Sequence, residues 1–257
     1  MPSIRKSLIV LTKACGIRPR NPLRACSDWW RYLAQRKEFL KLAKGHPMRL
    51  GQDFPIIDEW DDHSGGIGMY AVQDLTISRW VHQDAPHQHV DVGSRLDGFV
   101  TQVAVFCEVH VLDIREAPVM LDGVIFERVD LLEPLAPKWR GTVASLSCLH
   151  SIEHFGLGRY GDRLDPDGHL RGLEQLMAMV SAGGRLYFSC PVGDERVEFN
   201  AHRILDAGKM LAAFDQGWVI ERVAMVREDR SVIHLAASSF SGKEEGILMF
   251  VARKESC

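Results

Sequence analysis

From residue 86 onward, short apolar runs rich in β-branched residues alternate with longer stretches of helical period, the pattern of a parallel sheet with crossover helices. His89–Val92 predicts a first strand and Leu96–Cys107 a helix, with Phe99, Val100, Val103 and Ala104 on one face. Val109–Leu112, Val124–Val129 and Val143–Leu146 predict strands two to four. After a long loop, Asp165 is placed to cap a helix with Pro166 at its first position, and Leu170, Leu173, Leu176, Met177 and Val180 form its apolar stripe. Gly183-Gly184 reads as the stop of that helix and the lead into strand five, Arg185–Cys190. A short helix over Asp206–Phe214 and two late strands, Trp218–Val226 and Ile247–Ala252, complete a seven-stranded, mostly parallel α/β sheet closed by a terminal hairpin.

The first part of the chain has a different texture. Cys15–Pro22 is turn-rich, and from Ser27 the residues Trp30, Leu33, Phe39, Leu40 and Ala43 fall near one helical face that Gly45 and Pro47 close. Val72–Trp80 predicts a second helix. Residues 1–67 therefore read as an N-terminal helical extension and residues 68–257 as the sheet domain. Charge sharpens that division. Residues 1–50 hold twelve Lys and Arg against Asp28 and Glu38, a surplus of ten; with a total of −3, the rest of the chain carries −13. A basic arm on an acidic body suits a helix packed on that body, or attachment to an anionic membrane surface or lipid-linked glycan. Nucleic acid is the least suited partner, because the body is acidic and no recognition motif occurs.

No stretch is long and apolar enough to span a bilayer, and Arg5-Lys6 precede an apolar run too short for a signal peptide, so a cytoplasmic protein is expected. The six cysteines are scattered without a C-x-x-C pair, which fits neither a zinc knuckle nor a disulfide framework; no metal is expected.

Open α/β sheets bind ligands beyond the carboxyl ends of their strands. The first strand–helix junction, Asp91-Val-Gly-Ser-Arg-Leu-Asp-Gly98, offers Gly93 for a tight turn and Gly98 for close backbone approach. Strand two ends about twenty residues later in Asp113, where a carboxylate can take both hydroxyls of a ribose. Strand three ends in Asp130 with Leu131 and Leu132 after it, an acid and apolar neighbours suited to an adenine. NAD is disfavoured because Arg95 stands at the second glycine of G-x-G-x-x-G.

The segments GIGMYAVQDL, HVDVGSRLDGFV, VLDIRE, SLSCLHSIEHFGLGRYGDRLDPDG and PVGDERVEFNAHR, spread over residues 68–205, resemble those of class I S-adenosylmethionine-dependent methyltransferases. More closely, they resemble a family within that superfamily catalogued only as a domain of unknown function. The resemblance implies a Rossmann-like sheet and S-adenosylmethionine as cofactor. Asp91, Gly93 and Gly98 would line its methionine part, with Ser94 and Arg95 in the same turn. Asp113 with Ile114 would take the ribose, and Asp130 with Leu131 the adenine. The chain departs from the usual pattern at Arg95, where methyltransferases carry glycine; its planar fork suits the cofactor's carboxylate, or it fills the space.

On the reaction side, the segment after strand four carries His150, Glu153 and His154. Methyl transfer to oxygen or nitrogen needs a base poised near neutrality, a role for either histidine with Glu153 as orienting partner. His150-Ser-Ile-Glu-His154 also matches the H-x-x-E-H of some zinc peptidases, but Gly156 and Gly158 follow and leave no long helix for it. Arg159, Tyr160 and Asp162, with Glu198, Asn200, His202 and Arg203 after strand five, form a polar set that suits a small hydroxyl-rich acceptor such as a saccharide or glycolipid precursor. The alternative is a degenerate Rossmann-like module that binds a nucleotide or partner without catalysis.

Overall fold

The computed structural model describes residues 22–45, 52–53, 55–56, 66–117, 120–236 and 244–256, with side chains from residue 25. Two compact units emerge, Met1–Gly66 and Ile67–Cys257. In the first, α1 (Pro22–Leu42) begins five residues before the expected Ser27, since proline is tolerated in a first turn where its missing N–H has no partner. Trp29 stacks on Tyr32 at 5.5 Å, and the Arg36 guanidinium bonds to Asp53. The apolar run around Leu8–Leu11 lies outside the described residues. Among the described residues, no helix is long and apolar enough to cross a membrane.

The second unit opens with α2 (Met69–Asp84) and continues into β1 (Gln88–Val92). A π-turn at Leu96–Val100 and α3 (Thr101–Ala104) replace the single expected helix, with Gly98 out of helical geometry at the kink. Then follow β2 (Glu108–Asp113), β3 (Val124–Arg128), β4 (Val143–Leu149), α4 (Gly168–Met179) and β5 (Val180–Val192). The small hairpin β6 (Arg196–Glu198) and β7 (His202–Ile204) precedes α5 (Ala207–Ala212), β8 (Trp218–Val226), β9 (Val232–His234) and β10 (Gly246–Lys254). Asp165 does not cap α4 directly. Its side chain accepts from Asp167 N–H and pairs with Arg171, and Pro166 lies before the helix.

The main sheet runs β3-β2-β1-β4-β5-β10-β8-β9, parallel from β3 to β5, with β10 inserted antiparallel between β5 and β8. It has eight strands, not the expected seven: three-residue β9 pairs outside β8. The expected hairpin partners, β8 and β10, do pair antiparallel. Both faces of the sheet are buried. Val90, Val92, Leu146, Cys148, Leu186 and Phe188 pack with Leu173 and Leu176 of α4 on one side. Val109, Val111, Tyr187 and Met249 pack with Ile77, Val81 and Phe99 on the other. Strand alternation therefore sends His89, Asp91, Ser145, Ser147 and Ser189 to the second face, all buried. A strip of polar side chains thus runs under α2, where a sheet covered on both faces normally carries apolar residues.

Candidate active site

The carboxyl ends of β1 to β4 converge on a cleft of about 310 Å³. The β1 turn forms its floor. Gly93 sits at φ +68°, its N–H donates to Leu112 O, and a Cβ there would collide with Ser151 Oγ, so only glycine fits. Asp91 does not reach the cleft. It is fully buried beneath the turn, where it accepts from Ser94 N–H at 3.0 Å, from Ser94 Oγ at 2.7 Å and from Ser147 Oγ. Burial pushes its pKa up to about 6, against the pull of those three donors. Gly98 also stays outside the lining. Its missing Cβ makes room for the Asp74 carboxylate of α2. Ser94 and Arg95 do line the cleft, and the exposed Arg95 guanidinium forks onto Asp97 at 3.0 and 2.9 Å.

Asp113 and Ile114 follow β2 along the wall. The Asp113 carboxylate, only 10% exposed, already accepts from Arg115 N–H at 2.8 Å and from its guanidinium at 2.9 and 2.7 Å. Asp130 accepts from Leu132 N–H at 2.8 Å, which closes a turn that buries Leu131 and Leu132 against the cleft. Helix α2 supplies three residues that sequence reasoning missed. Tyr70, Gln73 and Asp74 all line the cleft; Gln73 donates to Asp74 and accepts from Ser189 Oγ. Burial raises the pKa of both the Asp74 carboxyl and the Tyr70 phenol. Polar positions on an amphipathic helix carry no sequence sign of facing a ligand, although GIGMYAVQDL was among the distinctive segments.

At the other wall, β4 runs three residues beyond its expected end, through Leu149, and hands directly to His150 at φ +51°. Ile152–His154 is a single 3₁₀ turn, closed by Gly156 at φ +78°, so the zinc-peptidase helix is absent. His150 Nδ1 lies 2.6 Å from Glu153 Oε1, and the ring meets Tyr70 edge-on at 4.5 Å. His154 Nδ1–H donates to Ala201 O at 2.7 Å, which leaves Nε2 as the unprotonated nitrogen, 3.9 Å from Glu153 Oε1. Burial lowers the His154 pKa, so its ring is neutral at pH 7. Glu153 is 1% exposed, and its Oε2, like His150 Nε2, is buried without a protein partner. His150 and His154 thus converge on one carboxylate. Among the described residues no three metal-ligating side chains cluster.

The remaining polar set divides. Arg159, Tyr160, Asp162 and His202 line the cleft. Tyr160 lies under the guanidinium carbons of Arg115 at 4.4 Å and Arg159 at 5.2 Å. Asp162 accepts from the N–H groups of Gly156, Gly158 and Tyr160 and thereby shapes the loop itself. Glu198 and Asn200 sit on the exposed β6–β7 hairpin outside the cleft, Glu198 pairing with Arg196 and His202. Arg203 is not available to any substrate. It is 3% exposed, and its guanidinium donates to the carbonyls of Glu153, Phe155, Asp165 and Pro166.

Residues 127–241, less than half of the chain, match the family described as "Caenorhabditis protein of unknown function, DUF268". No curated protein matches the sequence. Among solved structures, the chain is similar to 1,6-didemethyltoxoflavin-N1-methyltransferase of Burkholderia thailandensis, bound to 1,6-didemethyltoxoflavin and S-adenosylhomocysteine. The match has 14% identity and a TM-score of 0.50, over 93% of this chain and 92% of that one. The [4+2]-cyclase SpnF gives 14% identity and a TM-score of 0.51 over 72% and 82% of the two chains. YcgJ of Bacillus subtilis gives 8% and 0.50 over 72% and 99%. At such identities the likeness is one of fold, and that fold is the Rossmann-like sheet of the S-adenosylmethionine-dependent methyltransferases.

Proposed function

We propose that the chain is an S-adenosylmethionine-dependent methyltransferase acting on a small polar acceptor. The observation that carries this is one cleft holding, in strand order, a glycine turn, a carboxylate after β2, an acid with two leucines after β3, and a neutral imidazole after β4. Its volume of about 310 Å³ is within the range of small-molecule sites. Gly93 gives close access to backbone, Asp113 keeps lone pairs for ribose hydroxyls beside Arg115, and Leu131 and Leu132 offer an apolar surface to an adenine. Asp74, which accepts from Gln73, is a buried carboxyl at the methionine end. S-adenosylmethionine, when bound there, supplies a methyl group on a positively charged sulfur.

The acceptor's O–H or N–H must lose a proton, and His154 Nε2 is the group to take it. Ala201 O fixes the tautomer and Glu153 stabilises the imidazolium that results. His150 orients Glu153 from the other side. Arg159, Tyr160 and His202 give the rim a polar character that suits a saccharide or glycolipid precursor. Residues 68–257 are the catalytic domain in this reading and residues 1–67 a basic extension; the free thiols of Cys26, Cys107, Cys148 and Cys190 suit a reducing cytoplasm.

The test separates binding from chemistry. His154→Ala and Glu153→Gln should keep S-adenosylhomocysteine affinity but lower methyl transfer about 10²-fold or more, as for loss of a general base. Unchanged turnover in both variants would remove the base from its assigned place. A second reading, a non-catalytic module, draws on Arg95 standing in the glycine position and on the pairing of Asp113 by Arg115. The similarity to a chain named as a cyclase agrees that this fold is not tied to methyl transfer. Cofactor binding without methyl transfer to any acceptor class would favour it.

A further inference from the structure

Beneath the cleft lies a hydrogen-bond chain that no step above uses. Asp91 Oδ1 accepts the Ser147 hydroxyl proton, and Asp91 sits directly opposite Ser147 in the β1–β4 pairing. Ser147 has one proton to give, so its oxygen can only accept from His89 Nε2, 2.8 Å away. His89 Nδ1 is then the unprotonated nitrogen and takes the proton of Ser145 Oγ, 2.7 Å away. At the other end Ser94 Oγ donates to Asp91 and accepts from Leu149 N–H at 3.3 Å. Ser145, His89, Ser147, Asp91 and Ser94 are all at most 6% exposed. Phe99 and Tyr187 meet the His89 ring edge-on at 5.7 and 5.8 Å and hold its orientation.

We propose that His89 is a positioning residue for the cofactor turn: as the Nε2–H tautomer that the Asp91–Ser147 bond selects, it donates to Ser147, leaves the Ser147 proton no partner but Asp91, and so locks Ser94 and Gly93. This rests on the cofactor reading of the cleft. A buried polar chain is justified energetically only when every member is satisfied, and here each proton has one place to go. Burial drives the His89 pKa down to about 3, so the ring is neutral at pH 7. Asp113 disfavours the Asp91 charge, while the Cys148 thiol on the other face of the sheet, held protonated by burial and by Asp91, adds none. Its anionic form therefore depends on the serine donors, and Ser147 depends on His89 to point the right way.

Two measurements on the full chain test this. In a two-bond ¹H–¹⁵N spectrum the His89 ring should show the neutral Nε2–H pattern at pH 7–8, where Asp91 is ionised. In calorimetry with S-adenosylhomocysteine at pH 7, His89→Gln, whose amide can still donate to Ser147, should bind within about threefold of wild type. His89→Leu should bind about tenfold or more weakly, with its affinity rising to a plateau only at higher pH. If His89→Leu does not fold, Ser147→Ala should show the same loss. An Nδ1–H or doubly protonated ring beside normal binding overturns the relay alone. So does wild-type affinity in a folded His89→Leu, or in Ser147→Ala. A correct tautomer in a chain that binds no S-adenosylhomocysteine overturns the cofactor reading and, with it, this role.

Discussion

Replacing Arg203 with methionine should unfold the reaction-side loop rather than weaken substrate binding. The guanidinium reaches four carbonyls, at 3.3 Å for Glu153, 2.6 Å for Phe155, 3.2 Å for Asp165 and 3.0 Å for Pro166. It therefore ties both ends of the segment that carries His154 and Asp162 to strand β7. A buried acceptor that loses a charged donor costs about 1–3 kcal/mol, but Asp165 O keeps the Gly168 N–H and neighbouring bonds are not additive. Burial lowers the Arg203 pKa, so part of the gain is already offset by desolvation. The net loss should be about 3–5 kcal/mol, which for a chain of this size is a fall in melting temperature on the order of 10 °C. Urea unfolding and calorimetric melting of Arg203→Met and Arg203→Lys would read it, with lysine also destabilised because a point charge cannot span four acceptors. Wild-type stability in Arg203→Met together with a raised KM would refute the reasoning and return Arg203 to the substrate.

Gly93→Ala should lower stability by about 1–2 kcal/mol from its left-handed backbone alone, with more from the clash with Ser151, and should abolish S-adenosylhomocysteine binding; wild-type-like binding would show that the turn has freedom the structure denies. Asp91 contributes a pH slope of known sign. Its folded pKa of about 6 lies above the ordinary value, so the folded state binds more protons, and stability falls as pH rises from about 4 to about 6. Denaturation midpoints across that range should lose this component in Asp91→Asn; an unchanged slope would place the titration elsewhere. Helix α1 combines exposed Trp30, Leu33 and Phe39 with Arg36, Lys37 and Lys41, the composition of a helix that lies on an anionic membrane. It should sediment with phosphatidylserine vesicles at low salt and be released as salt rises; equal binding to neutral vesicles, or none, would discard that role.

The alternation of apolar runs with helical stretches was enough to place every strand from β1 to β5 and to pair β8 with β10. Where the pattern misled, a local feature overrode it. Ser147 and Cys148 look like the start of a loop, yet one feeds the polar chain to Asp91 and the other is core, so β4 continues through both. Gly183-Gly184 looks like a helix stop, but Gly183 at φ +74° lies inside β5, next to the register shift in the β4–β5 pairing, and the strand begins at Val180. β9 was missed because three residues carry too little periodicity. On the site, the glycine turn and the acids after β2 and β3 were legible because strand ends fix where those side chains go. Arg203 was not, since a polar residue in a polar run gives no sign that its partners are backbone carbonyls. Asp91 likewise belongs to the fold beneath the turn rather than to the ligand.

The central claim is that the cleft beyond β1, β2 and β3 holds S-adenosylmethionine, and titration calorimetry with S-adenosylhomocysteine tests it without knowledge of the acceptor. The full chain should bind with micromolar-range affinity, roughly 8 kcal/mol. Asp113→Ala should weaken that by about 2–3 kcal/mol through loss of charge-assisted bonds to the ribose, with NAD giving no heat in either protein. No binding by the folded wild-type chain, or equal affinity in Asp113→Ala, would contradict the account.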